Sequence, residues 1–582
     1  MKKVISVVLS AVLIFSCVFI PAAFSEDNSL SLTLATDLHY QSVERVGDMR
    51  ELSTYDPDDV FYDATIQGEM DHISEAIISR FLKEFIASDK EILLLAGDLT
   101  DGNKADHERL ADMLEGMISD AAKQGKTKKV FVINGNHDID DDNTEKLTSA
   151  EGFKACYSKL GYENALEIDP ASCSYTAELA GKWRLLAIDS CVYGKDDGKI
   201  DDARFSWIEK QVEAAEKDGK YLVTMMHHSV VPHFSVQDIP GDFNDRADKL
   251  AALGIRHVFT GHMHGNDIAE GVTSDGNIIY DVLTGSLITS PCSYREITFT
   301  PEAVGIETKY VTEVDADRLP EGLTDEQTAM ITNDFPAYAG GYFSAGMSKW
   351  LIRYIGSAGK AAQKLKIDEG TPAYEAIDFV LGCVGDALML PLYDSDETPG
   401  KFDSVEELCA AYGFELPKSD YKLPGDVVGA VMGAFYAGDE DMKYSEKEVR
   451  IVYSVVSAGL VYAVTELISL GDTGFTEFFF NAIGMRTKVL GLTSLGKIIA
   501  GKQAANILID VILSPVVEGI STDRYAPGDL NVELPGVNAQ GVTAESPSPF
   551  KIGDKILEYF REFFRIFREC LENLFDLKLP VC

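Results

Sequence analysis

Positive charge is scarce in this 582-residue sequence: Lys and Arg number 52 against 94 Asp and Glu, a formal net charge of −42 at pH 7. A surface that collects polymeric nucleic acid by releasing its counterions needs the opposite balance, so no such partner is expected. Cysteine is sparse as well. The chain has nine, none in a CxxC pair, which argues against a zinc ribbon. Few residues separate Cys156 from Cys173, the pair expected to bridge in an oxidising compartment, with buried unpaired thiols as the alternative. Beyond residue 25 no apolar run reaches the length of a membrane span. Ile451 to Thr465 comes nearest, but Arg450 and Glu466 bound it below the roughly 20 residues required, and a buried core helix is expected there. The composition is not that of a disordered chain either, with 46% hydrophobic and 25% charged residues.

What is present begins with a leader. Met1 to Ser25 has the form of a secretory signal, with Lys2 and Lys3 at its basic end, an apolar stretch from Val4 to Ile20, and small residues at Ala23 and Ser25 before Glu26. Ile14-Phe15-Ser16-Cys17 makes a poor lipoprotein cleavage box because of Phe15. A secreted or cell-envelope protein is therefore the expectation.

Residues from about 30 to 313 alternate short β-rich runs with amphipathic stretches, the pattern of an α/β layered domain. The strand candidates are Leu32 to Thr36, Ile92 to Ala96, Val130 to Ile133, Leu185 to Ile188, Tyr221 to Met226 and His257 to Thr260. Helical periodicity marks 72–88 and 104–123. From about 315 to 525 the sequence turns rich in Ala, Gly and Leu, as in Tyr374 to Leu392 and Glu446 to Leu470, and reads as a mainly α-helical C-terminal domain. Ala526 to Pro549 reads as a linker. After it, Ile556, Phe560, Phe563, Phe564, Phe567, Leu571, Leu574 and Phe575 recur at helical spacing beside Arg561, Arg565 and Arg568. This amphipathic segment, 550–582, is expected to contact a membrane surface or a protein, or to dock on its own domain.

Chemistry concentrates at the ends of the strand candidates. Asp37-Leu38-His39, Gly97-Asp98, Gly135-Asn136-His137-Asp138, His227-His228 and Gly261-His262-Met263-His264 hold six of the ten histidines. Carboxylates, imidazoles and one amide, without a thiolate, suit two borderline divalent ions such as Mn, Fe or Zn. If the strand before it runs on, His262-x-His264 places both imidazoles on one side. Gly97, Gly135 and Gly261 let the backbone bend tightly at the metals.

The ordered set of these motifs resembles that of the calcineurin-like metallophosphoesterases, over roughly residues 30 to 310. The flanks Gly97-Asp98-Leu99-Thr100 and Gly261 to Ile268, together with a helical C-terminal domain, are similar to the bacterial cyclic nucleotide phosphodiesterases of that family. The resemblance implies a layered α/β/β/α sandwich over 26–313, followed by the helical domain over 314–525. It also implies that Asp37, His39 and His264 bind one ion, that Asn136, His227 and His262 bind the other, and that Asp98 bridges them. A hydroxide between the ions is then the nucleophile, attacking phosphorus in line with the leaving oxygen. His137 is the candidate to protonate the leaving alkoxide or to stabilise the transition state, with Asp138 to orient or polarise it and Asn136 and His137 to contact substrate.

His233, in the loop after the His227 strand, is a further candidate contact for the substrate phosphate. His228 is expected behind the ligands or in the core, and His72, His107 and His257 in structural roles. Asp138 to Asn143 fails as a calcium loop because its sixth position is Asn143 and its twelfth Ser149. Asp56, Asp58, Asp59 and Asp63 read as a solvated acidic insertion, and Trp183 and Trp207 as core. The expected function is a secreted, dinuclear metal-dependent phosphoesterase acting on small phosphodiesters, 3′,5′-cyclic nucleotides among them. Its alternatives are a phosphomonoesterase of nucleotides, phosphoproteins or sugar phosphates, and a non-catalytic surface binding protein.

Overall fold

The computed structural model describes residues 28–45, 68–140, 149–195, 198–233, 243–273, 276–355, 369–393, 402–438, 446–469 and 528–538, with Ile509 and Ser514. The expected leader at Met1 to Ser25, the expected acidic insertion at Asp56 to Asp63 and the expected amphipathic segment 550–582 lie outside the described residues.

Thirteen strands among the described residues form two sheets. They are β1 (Leu30–Ala35), β2 (Ile92–Ala96), β3 (Lys129–Ile133), β4 (Ala165–Ile168), β5 (Tyr175–Ala180), β6 (Trp183–Ile188), β7 (Tyr221–Met226), β8 (His257–Thr260), β9 (Asp267–Val272), β10 (Ile278–Leu283), β11 (Ser293–Phe299), β12 (Ala303–Tyr310) and β13 (Asn531–Pro535). One sheet runs β13-β12-β11-β1-β2-β3 and the other β4-β5-β6-β7-β8-β10-β9. Strands β1, β2 and β3 are parallel to one another, as are β6, β7 and β8, so their carboxyl ends point the same way within each sheet.

Strand alternation explains the layers. Leu185 and Ala187 of β6, Val223 and Met225 of β7, Phe259 of β8 and Val282 of β10 join the same core as Leu32, Leu34, Leu93 and Val132 of the first sheet. Their neighbours Leu186, Ile188, Met226, Val258 and Ile279 face the other way, into a second core. Helix α1 (Ser74–Ala87) presents Phe81, Leu82 and Phe85 to the first core, and α2 (Lys104–Lys123) adds Leu110, Leu114 and Met117. Asn103 starts α2 by accepting the Ala105 and Asp106 N–H groups. The short α3 (Ala150–Cys156) carries Phe153 into the same core. On the second core lie α4 (Asp202–Lys217), through Phe205, Ile208 and Val212, and α5 (Phe243–Ala252), through Leu250. The layered α/β/β/α architecture expected from the resemblance is the one found. Trp183 and Trp207 are both buried in it.

Cys156 and Cys173, however, are free thiols. Cys173 is buried, with its sulfur 3.8 Å from the Ala150 carbonyl and 3.9 Å from the Tyr193 hydroxyl.

After the sandwich come α6 (Asp325–Asn333), α7 (Phe335–Ile355), α8 (Pro372–Met389), α9 (Val405–Tyr412), α10 (Pro424–Ala437) and α11 (Lys447–Ser469). Val384 and Leu388 of α8, Leu408 of α9, Val427 of α10 and Ile451 and Val455 of α11 make their common core. By length and composition Lys447–Leu467 could cross a membrane, yet 56% of its most apolar window is buried within the protein, in keeping with a core helix.

Part of the expected linker is instead β13, which pairs antiparallel to β12 with Val532 opposite Ile306 and Leu534 opposite Val304. Asp529 anchors it: one carboxylate oxygen accepts the Ile268 N–H at 3.0 Å, and its carbonyl accepts from the buried Arg295 guanidinium. Replacing Asp529 by Ala strands the Ile268 N–H in the interior. Asp529→Ala is therefore expected to cost about 1–3 kcal/mol, read as a lower urea midpoint of the full chain, and an unchanged midpoint would refute the anchoring role.

Candidate metal centre

The loops after β1, β2, β3, β7 and β8 converge on the crest between the two sheets. Main-chain bonds zip the first two together, Asp37 N–H to Gly97 O at 3.1 Å and His39 N–H to Asp98 O at 3.0 Å, and Gly261 N–H to His227 O at 3.0 Å joins the last two. Close approach requires glycine here. A Cβ on Gly135 would fall 2.1 Å from the Asp98 carboxylate, and one on Gly97, at φ +97°, 2.5 Å from the His227 ring.

Backbone strain marks the same place. Among the described residues six non-glycines have positive φ, and five of them are Asp37 (50°), His39 (37°), Asp98 (46°), His262 (75°) and His264 (60°). Each such residue costs about 1–3 kcal/mol and persists only where its surroundings hold it. The strand before His262-x-His264 does not run on, since β8 ends at Thr260. The left-handed turn that replaces it sends the two imidazoles to different groups. His264 joins Asp37 and His39, while His262 joins Asp98 and His227, and within each group the ligand atoms lie within 4.8 Å of one another.

Ring tautomers are set for ligation. The Ala96 carbonyl can only accept, so the 3.0 Å contact puts a proton on His227 Nδ1 and turns Nε2 toward Asn136 Oδ1 at 3.1 Å and Asp98 Oδ2 at 3.0 Å. His39 Nδ1 is 2.9 Å from the Asp101 carboxylate, and its Nε2 faces His264 Nε2 at 3.3 Å, while His264 Nε2 is 3.4 Å from Asp37 Oδ1. Asp98 Oδ2 also lies 3.8 Å from His39 Nε2, so one carboxylate serves both groups. Converging carboxylates, imidazoles and an amide suit two divalent ions, which Asp37, His39, His264, Asp98, Asn136, His227 and His262 would hold. Burial and the neighbouring His227 charge bring His262 down to about 3, which leaves its imidazole neutral, the form that binds metal.

His137 stands at the open side. Its side chain is 46% exposed, against 2% for His39 and none for His227, and its Nδ1 lies 3.7 Å from Asp101. Its backbone N–H donates to Asp98 at 2.9 Å. Asp138 does not turn toward it. The Asp138 carboxylate is buried and accepts N–H bonds from Leu99, Thr100 and Gly135 at 2.9, 3.1 and 2.7 Å, tying the β2 loop to the β3 loop. Burial and the Asp98 charge push its carboxyl up to about 8. Reasoning from sequence missed Asp101, which Gln41 holds at 2.9 Å, and Glu69, 3.3 Å from His264 Nδ1. Asp101 had one signal, its place three residues past Asp98 in the same loop. Glu69 had none.

His228 binds Ser190 Oγ through Nδ1 at 2.9 Å, behind the ligands. His233 is not at the site. Its ring is fully buried, with Nδ1 on Asp267 and Nε2 3.3 Å from Asp281, so it cannot meet a substrate phosphate.

Residues 30–266 match the model of the calcineurin-like phosphoesterase family. Among curated proteins the chain is similar to a probable cyclic nucleotide phosphodiesterase of Synechococcus sp. (strain WH7803), 33% identical over 89 residues, 15% of this chain and 34% of that protein. A second protein of the same description, from Psychrobacter arcticus, is 26% identical over 195 residues, 33% of this chain and 62% of its own length. The chain thus spans about a third and about three fifths of these two relatives. Among solved structures a dimetal phosphatase from Danio rerio aligns at 13% identity with a TM-score of 0.33, over 50% of this chain and 98% of its own.

The His233 pair generates a test of its own. Burial alone would lower this imidazole, but Asp267 and Asp281 raise it to about 9, above the ordinary value of roughly 6.5. Its contribution to stability is then complete below about pH 6.5 and lost as pH rises through about 9. Urea midpoints between pH 6.5 and 10 are expected to fall for the wild type and to vary less for a destabilised His233→Asn. Parallel pH profiles would show that the pair is not ionic.

Proposed function

We propose that this protein is a secreted, dinuclear metal-dependent phosphoesterase that hydrolyses small phosphodiesters, with 3′,5′-cyclic nucleotides as the substrate class to test first. The observation that carries the reading is the convergence of Asp37, His39 and His264 with Asp98, His227, His262 and Asn136, from five separate loops, onto one crest. Two divalent ions held there would supply a lowered pKa for water and positive charge facing the phosphoryl oxygens. The chain's own groups do the rest. Ala96, through its carbonyl, and Asp101 hold His227 and His39 in the tautomers that present Nε2 inward. Asn136 offers its amide to the phosphate side, and His137, the exposed imidazole, gives a proton to the departing alkoxide.

Charge favours a diester over a monoester. Among the described residues the ion-pair partners of Asp37, Asp98 and Asp101 are all histidines. Asp101 and Glu69, with side chains 30% and 17% exposed, add negative charge on the open side. A monoester dianion meets more repulsion there than a diester monoanion. The descriptions of the Synechococcus and Psychrobacter relatives agree with this preference. The leader-like Met1 to Ser25 supports secretion, and the aromatic stripe from Ile556 to Phe575 a surface contact.

With Mn added, kcat/KM for bis(p-nitrophenyl) phosphate should exceed that for p-nitrophenyl phosphate; the reverse order would favour the monoesterase. His137→Ala should lose about 10²–10⁴-fold in turnover on the diester while retaining two equivalents of metal. Normal turnover, or loss of metal, would remove His137 from its assigned role.

A further inference from the structure

The helical domain reaches the metal centre from two sides, and both routes end at His264. On the first route, α10 ends at Ala437, and the carbonyl of its Tyr436 accepts two bonds from Asn266, from N and from Nδ2, each 3.1 Å. Asn266 follows His264 by two residues, and its Oδ1 accepts the Gly285 N–H at 3.1 Å. The neighbouring Ser286 N–H in turn donates to the His264 carbonyl at 3.1 Å. On the second route, Phe343 of α7 lies against the backbone of Gly68, where an added Cβ would stand 2.8 Å from Phe343 Cα. Gly68 precedes Glu69, whose carboxylate faces His264 Nδ1 at 3.3 Å. Farther along the same segment, His72 Nε2 meets the Tyr338 hydroxyl of α7 at 2.7 Å.

The two routes are not independent of each other. Phe343 and Tyr436 pack ring to ring with centroids 4.8 Å apart, in one apolar cluster with Met347, Phe435 and Val449. Helices α7 and α10 are therefore packed as one unit, and that unit contacts Asn266 and the Gly68–Glu69 segment, both of which lead to His264. A left-handed residue such as His264, at φ 60°, depends on such contacts.

Resting on the metal-centre reading above, we propose that α7 and α10 are a positioning element for His264, so that affinity for the ion held by Asp37, His39 and His264 is set in part by the helical domain. Asn266 and Phe343 act through other residues and touch neither ion nor substrate. Holding a ligand from behind is worth about 10–100-fold in metal affinity. Only one of the two ions is affected in this way, because His227, Asn136 and His262 are placed by the sandwich loops.

Calorimetric titration of the metal-stripped full chain with Mn²⁺ tests this without reference to activity. Wild type should take up two ions. Asn266→Ala and Phe343→Ala should weaken one step by about tenfold or more and leave the other within about twofold. Phe343→Leu, which keeps most of the contact with Gly68 and Tyr436, should restore the weakened step. Should Phe343→Ala fail to fold, the pair Asn266→Ala and Phe343→Leu decides the matter. If the folded variants bind both ions like the wild type, or lose both steps equally, the positioning role is overturned while the metal centre stands. If the wild type binds no Mn²⁺, the metal-centre reading itself fails, and this inference with it.

Discussion

Two carboxylates, Asp37 and Asp98, are buried within reach of one another at the crest of the sandwich, and the rest of the site answers the cost of putting them there. Burial raises the pKa of both, and the Asp98 charge raises that of Asp37 further. What keeps them ionised is a ring of imidazoles, His264 and His227 above all, brought in from the opposite sheet and its loops. Histidines alone are an incomplete answer, since protons on Nε2 would block the lone pairs that point inward. Divalent cations held by these side chains would answer both problems at once, supplying positive charge to the carboxylates and taking the place of the Nε2 protons.

Holding so many ligands at one point demands a scaffold with parallel strand ends on two facing sheets. The sandwich provides it, because alternation along β6, β7 and β8 commits one face to the central core and the other to α4 and α5. Strain at five ligand positions is carried by that rigidity and by bonds such as His262 N–H to Asp37 at 3.1 Å. The helical region is not a separate attachment. Its helices press on the residues flanking His264, and after it the chain returns as β13 to the edge of the first sheet.

How much of this was legible in the sequence follows from how local each determinant is. Strands β2, β7 and β8 match their expected bounds residue for residue, because short apolar runs ending in polar residues leave few alternatives. The ligand groups were legible for the same reason, each being a contiguous cluster at a strand end. Asp138 was misjudged because neighbours in a tight turn point apart: His137 faces outward, while its successor is drawn inward by three N–H groups. His233 was misjudged because its partners, Asp267 and Asp281, lie on β9 and β10, far away in sequence. Composition hid β13, where Pro and Gly flank the alternating Val532 and Leu534. Glu69 is brought to His264 by the bridge between Glu69 and Thr289, a contact across more than two hundred residues with no local trace.

Anomalous diffraction at the manganese edge, from crystals of the full chain grown with Mn²⁺, tests the central claim most directly. The account predicts two peaks about 3.5–4 Å apart on either side of the Asp98 carboxylate, one among Asp37, His39 and His264 and the other among Asn136, His227 and His262. A single peak, or peaks away from these side chains, would contradict it.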